Sequence, residues 1–323
     1  MYQMMSLPLY SGTLGEYNSW RDLGQELERL GCDGIEGVWG GEDLPKDLPA
    51  ELILGYHLIF YPDWLDFYRD DRAALKQKFG SLEVTASFYG GLGPDTLLEQ
   101  YRADLRRAVN LGARYVVFHV SDVSLEEGYT YRWLHTNQEV IDAAVEVVNL
   151  ILGEERWPFE FLVENQWWPG FTFTEPEETA RLLEGIRFAG KGILLDTGHL
   201  MNACTKLKTE AEGADYIRRM LNRHGSLAKW VRGVHLHQSL SGAYVKAHTG
   251  SLPAGLPEDY MERFGVSYQH ILQIDQHRPW TDPAILSVLE QIEPRYLTHE
   301  LSSRGRMARA EAVSVQTRLL QQG

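Results

Sequence analysis

Six short apolar runs each end on a side chain that can hold a divalent cation. LILGYHL (52–58) carries His57, ARYVVFHVS (113–121) His119, and FEFLVENQ (159–166) Glu164. GILLDT (192–197) carries Asp196 with His199 three residues on, VRGVHLHQ (231–238) both His235 and His237, and RYLTHEL (295–301) Glu300. A single such histidine is more often a hydrogen-bonded core residue than a ligand. Six consecutive runs ending this way point to one shared metal site. Side chains alternate along a strand, so His235 and His237 share a face, as do Leu162 and Glu164. Carboxylates and imidazoles brought to one mouth would repel or stay unpaired unless a cation neutralised the acids and accepted the nitrogens. The donor mixture suits Zn or Mn better than an oxygen-only Mg or Ca site, and one or two ions are expected.

Convergence requires strands whose ends share a rim. The six runs, with strand-like cores at 4–10 and 34–39, make eight, and helical patterns at 19–30, 95–111, 138–152, 176–187, 209–224 and 306–321 alternate with them. Eight β-then-α units predict a (β/α)8 TIM barrel, an α/β fold whose catalytic groups gather at the carboxyl ends of the strands; a doubly wound open sheet is second. Residues 1–323 read as one domain. The stretch 59–94 is too long for one helix, contains the strand-like LEVTASFYG, and predicts a lid or insertion between strands 3 and 4. Asp95, and Thr174 with Pro176, read as helix start signals.

Composition narrows the partners. The 323 residues include 31 basic and 45 acidic side chains, a net charge of −14. That field repels phosphate backbones and anionic lipid, which counts against nucleic acid. Cys32 and Cys204 form neither a disulfide framework nor a zinc-ribbon spacing, in keeping with a reducing, cytoplasmic setting. MYQMMSLPLY lacks a basic region followed by a long apolar one, and no apolar run approaches the about 18 residues of a membrane span. A homo-oligomer stays open.

With VVFHVS, FLVENQ, LLDTGHLMN, VHLHQ, AHTGS and the strand-end Glu300, the chain resembles the xylose-isomerase-like TIM barrels, the superfamily of sugar isomerases and epimerases and of the type IV apurinic endonucleases. The resemblance runs through nearly the whole chain apart from 59–94, and DTGH followed by MN is its most specific element. The endonuclease pattern implies one ion held by His57, His119 and Glu164, and a second by Glu164, Asp196, His235 and Glu300. A third ion in that pattern needs His199 with an Asp and a His after strand seven. His248 fits the His, but Lys246 stands at the Asp, which leaves that set incomplete. The ketose 3-epimerase pattern implies a single ion on Glu164, Asp196, either His235 or His237, and Glu300. It departs at an Arg expected six residues past that His, which neither Ser241 nor Ala243 supplies.

Two chemistries follow. The leading expectation is a metal-dependent isomerase or epimerase of a small sugar or sugar phosphate. A metal-stabilised enediolate would form there, with Glu164 and Glu300 exchanging the proton and His199 and Lys246 holding the charged oxygen. Trp64, Trp167 and Trp168 are candidate stacking surfaces for the sugar, and His248 a further substrate contact. The alternative is a two-metal phosphoester hydrolase on a small substrate rather than DNA. A non-catalytic sugar- or metal-binding barrel comes third. Glu36 could touch substrate or cap a loop. His299, alternating with Glu300, should face the helices, and His135, His224, His270 and His277 read as surface. Cys204 has no base aimed at it and is not read as a nucleophile.

Overall fold

The computed structural model describes residues 1–322. Eight strands, β1 (Tyr2–Leu9), β2 (Gly34–Trp39), β3 (Ile53–His57), β4 (Tyr115–His119), β5 (Glu160–Glu164), β6 (Lys191–Asp196), β7 (Val231–His235) and β8 (Tyr296–His299), close in sequence order. Every pairing is parallel, including β1 with β8, so the chain is a (β/α)8 TIM barrel. Among the described residues, no helix is long and apolar enough to cross a membrane.

Helices form where the apolar period was helical, at Trp20–Leu30, Pro94–Asn110, Asn137–Leu152, Pro176–Gly185, Glu210–His224 and Arg306–Leu320. Their starts differ in detail. Gly93 is the cap before Pro94, with Asp95 inside the first turn, and Glu175 rather than Thr174 precedes Pro176. Outward strand residues such as Val116, Phe118, Phe161 and Val163 pack with Leu105, Val147 and Leu182 in the layer between sheet and helices. Inside the barrel Met4, Leu54, Tyr115, Val117, Leu162, Leu194 and Tyr296 form a second core below the mouth. Tyr115 crosses this interior over Gly55, where a Cβ would lie 2.3 Å from its ring. Only glycine allows that crossing.

Two excursions rise over the mouth. The first, after β3, contains no strand, its regular elements being the helices Leu65–Tyr68, Arg72–Phe79 and Leu82–Tyr89. LEVTASFYG therefore forms a helix instead of the expected strand. Ser81 accepts the Val84 N–H at its start, left-handed Gly90 ends it, and buried Thr85 and Tyr89 stand four apart on one face. Local capping and helical spacing outweighed β propensity. The Trp64 indole donates to the Ser121 carbonyl at 2.6 Å, and Asp122 accepts the N–H groups of Trp64 and Leu65. Buried Lys78 bridges Asp63 and Asp66 at 2.7 and 2.8 Å. The second excursion lies between β7 and β8, where Gly242–His248, Tyr260–Ile274 and Ala284–Ile292 are helical. Its Tyr260 and Phe264 pack on Phe79 and Phe88 of the first, so the two meet.

Candidate metal centre

Strand register sets the side chains beside one another. His119 pairs with Glu164 across β4 and β5, and Asp196 with His235 across β6 and β7. Each of these positions ends an inward-facing alternation, as do His57 above Gly55 and Glu300 above Thr298. Asn165, next to Glu164, locks the neighbouring strand: its amide donates to the Asp196 carbonyl at 3.0 Å and its oxygen accepts the Asp196 N–H at 2.8 Å. Asp196 in turn caps the short helix Thr197–Asn202, accepting the His199 N–H at 2.6 Å.

The donors fall into three groups, within each of which the ligand atoms lie within 4.8 Å of one another. In the first, His57 Nε2 and His119 Nε2 are 3.0 Å apart and stand 3.3 and 3.1 Å from Glu164 Oε2. His57 Nδ1 donates to the Leu58 carbonyl, which turns Nε2 toward the group. In the second, His235 Nδ1 faces Glu300 at 2.9 Å, Glu164 Oε1 at 3.3 Å and Asp196 at 3.7 Å. The third consists of His199, His237, Asp275 and His277. Asp275 Oδ2 lies 3.2 Å from His199 Nε2 and 2.5 Å from His277 Nε2, and the His237 and His277 rings stack at 4.0 Å.

Burial opposes charge on Glu164, but the facing imidazoles of His119 and His235 more than reverse it and hold the carboxyl well below its usual range. Burial likewise works against Glu300, which His235 and His277 hold low. Burial keeps His119 below the ordinary imidazole value. The residues fit cations on a further observation. Both Glu164 oxygens, Glu300 Oε2, His235 Nδ1 and Asp275 Oδ1 are buried without a hydrogen-bond partner. Buried polar atoms are rarely left so. Their lone pairs converge, and a divalent ion satisfies them where a proton shared among them cannot.

The expected ligand positions come together in these groups. His235 sits in the second group and His237 in the third. The Asp and His brought beside His199 are Asp275 and His277, whereas His248, which fitted the expected His, lies elsewhere. Lys246 and His248 are exposed on the helix Gly242–His248, outside the cavity, with His248 stacked on Tyr244. His277, expected at the surface, is part of the centre. His224 and His270 are buried too, the first stacked on Phe173 at 3.9 Å and the second on Tyr129 at 4.2 Å. His135 pairs with Asp66 at 3.2 Å. His299 does turn outward, bonded to Gln316 of the last helix. Glu36 neither caps a loop nor touches the cavity. It is fully buried under the centre, 2.9 Å from His235 Nε2, and accepts hydrogen bonds from Tyr115 and Thr298.

Above the groups opens a cavity of about 810 Å³, lined by His57, His119, His199, Asp275, His277 and Glu300 on its floor and by Trp167 and Trp168 on its wall. Its size is in the range of small-molecule sites. Trp64 is absent from the lining and is buried as the anchor of the first excursion.

Among curated proteins, none matches the chain by sequence. Solved structures share the fold at low identity. L-ribulose 3-epimerase superposes with a TM-score of 0.54 at 12% identity, covering 100% of this chain and 95% of its own. Mannonate dehydratase from Streptococcus suis serotype 2 gives 0.53 at 13%, covering 99% and 93%. Endonuclease IV from Thermus thermophilus gives 0.52 at 17%, covering 100% of both chains. A family model described as xylose isomerase-like TIM barrel matches residues 25–313, and the chain belongs to that family.

Proposed function

We propose that this protein is a multi-metal phosphoester hydrolase acting on a small substrate. The observation that carries this reading is the third donor group. Asp275 and His277 close on His199 beside Glu164, so three sets of ligands adjoin under one cavity. His57, His119 and Glu164 would hold one ion, Glu164, Asp196, His235 and Glu300 a second, and His199, Asp275 and His277, with His237 beside them, a third. Bound divalent ions supply Lewis-acid charge that offsets the attacking and leaving oxygens of a phosphoryl transfer.

The chain's own groups divide the remaining work. Glu164 has one oxygen toward His57 and His119 and the other toward His199 and His235, and it does not line the cavity, so it is poorly placed to take a carbon-bound proton from a substrate there. That weakens the isomerase expectation, which needs Glu164 as a base. Glu300 is the one carboxylate of its group that also lines the cavity, and it is placed to accept a hydrogen bond from a water and orient it there. The aromatic walls limit bulk water around the reacting group.

The test counts metals per chain in protein purified without chelator. It then follows phosphate release from small phosphoesters beside deuterium uptake from heavy water into ketoses. Release dependent on more than one ion, without exchange, is expected. Exchange without release overturns the reading.

A further inference from the structure

We infer that the substrate carries a planar, uncharged aromatic group within a bond or two of the reacting phosphoryl group. This rests on the hydrolase reading above and adds the substrate class.

Aromatic faces begin at the ligands themselves. The Phe60 ring centroid lies 4.4 Å from that of His119 and 5.8 Å from that of His57, on the cavity side. Across the floor, the Trp167 ring centroid lies 5.1 Å from that of His199 and 4.1 Å from that of Trp168, to which it is tilted by 39°. Tyr129, Phe264 and Tyr268 continue the wall outward. Phe60 and Tyr268 are 47% and 51% exposed, a solvation cost that an apolar partner would relieve.

The same wall lacks what a polyanion would need. No lysine lines the cavity among the described residues, and its one arginine, Arg309, is engaged by Glu16 and Tyr17. A nucleic-acid backbone would find no free cations to replace its counterions. A polyol offers the faces of Phe60 and Trp167 less apolar surface than a planar ring does. A ring attached directly to the phosphoryl group places its charge at the ions and its face between these two residues, where offset stacking and burial act together.

The experiment uses the metal-loaded protein and two non-hydrolysable probes, phenylphosphonate and methylphosphonate, titrated by calorimetry. The phenyl probe should bind at least about tenfold more tightly. In F60A and W167L, each shown to keep the wild-type metal count, that ratio should fall toward one. Equal binding of the two probes, no binding of either, or a ratio unchanged in both variants overturns the inference. Binding is read without turnover. A protein that prefers the phenyl probe but releases no phosphate therefore refutes the hydrolase reading and not the aromatic preference.

Discussion

Glu36 Oε1 lies 2.9 Å from His235 Nε2, on the opposite side of the imidazole from the carboxylates that Nδ1 faces. Both residues are fully buried. The Tyr115 and Thr298 hydroxyls hold the other Glu36 oxygen at 2.6 and 3.0 Å, so the carboxylate is fixed from below. The contact is an electrostatic one and not an aligned hydrogen bond, and the negative charge there favours the proton on Nε2 and leaves Nδ1 for a cation.

Glu36→Gln should therefore lower affinity for the ion of the second group by about 10- to 100-fold while the other groups keep theirs. Competition with a chelator of known strength, followed by metal analysis, measures it. A lower melting temperature with unchanged affinity would make Glu36 a packing residue only.

The third group gives a separate prediction. Asp275→Asn and His277→Gln each remove one donor from a set that shares no residue with the other two. Each variant should lose one metal per chain and at least about tenfold in phosphate release, with the fold kept, as read by metal analysis and circular dichroism. Retention of all ions in both variants would remove the third group from the centre.

The difference between what could and could not be read in the sequence has a physical cause. His57, His119, Glu164, Asp196, His235 and Glu300 end strands, and in a parallel barrel strand ends meet whatever lies between them. Asp275 and His277 follow a helix inside a long excursion, so only the tertiary path of 239–295 brings them to His199. Their Asp-x-His spacing, well past His235, was a usable signal that the nearer Lys246–His248 pair displaced. Lys246 and His248 fell instead on the exposed face of a helix whose inner face, through Val245, packs with Trp167, Trp168 and Ile274. Glu36 could be placed on β2 by alternation, but its partner lies across the barrel, and cross-barrel contacts leave no local pattern. Trp64 reads as a rim aromatic until the Ser121 carbonyl is found to hold it.

A pH dependence follows from the anchor of the first excursion. Burial pushes the Asp66 carboxyl up, but hydrogen bonds from His135 and Lys78 outweigh this and bring it to about 2. The hydrogen bond to Asp66 raises His135 against the opposing effect of burial. A lowered carboxyl contributes stability above its unfolded value of about 3.9, lost as pH falls toward the folded value. A raised imidazole contributes below about 6.5, lost as pH rises through its folded value. The difference in denaturation midpoint between wild type and His135→Gln should thus be largest near pH 5 and shrink as pH falls toward about 2 and as it rises past the ordinary imidazole range. A difference that does not vary with pH would mean that the pair is not charged in the native state.

The glycine of DTGH supplies the last prediction. A Cβ on Gly198 would lie 2.0 Å from Cε1 and 2.3 Å from Nδ1 of His237. That ring has no room to retreat, because His277 is stacked on its other face at an interplanar angle of 4° and its Nε2 is 2.8 Å from Asp196. The Thr197 hydroxyl, bonded to the carbonyls of His235 and His237, ties the same backbone in place. Gly198→Ala must therefore push His237 and His277 together out of position. It should cost about 1–3 kcal/mol in stability. It should also empty the third group while sparing the ion on His57, His119 and Glu164. Denaturant titration and metal analysis of the same sample read both effects. Full metal content at wild-type stability would show that His237 and His277 move freely, and with it that the third group is not preorganised.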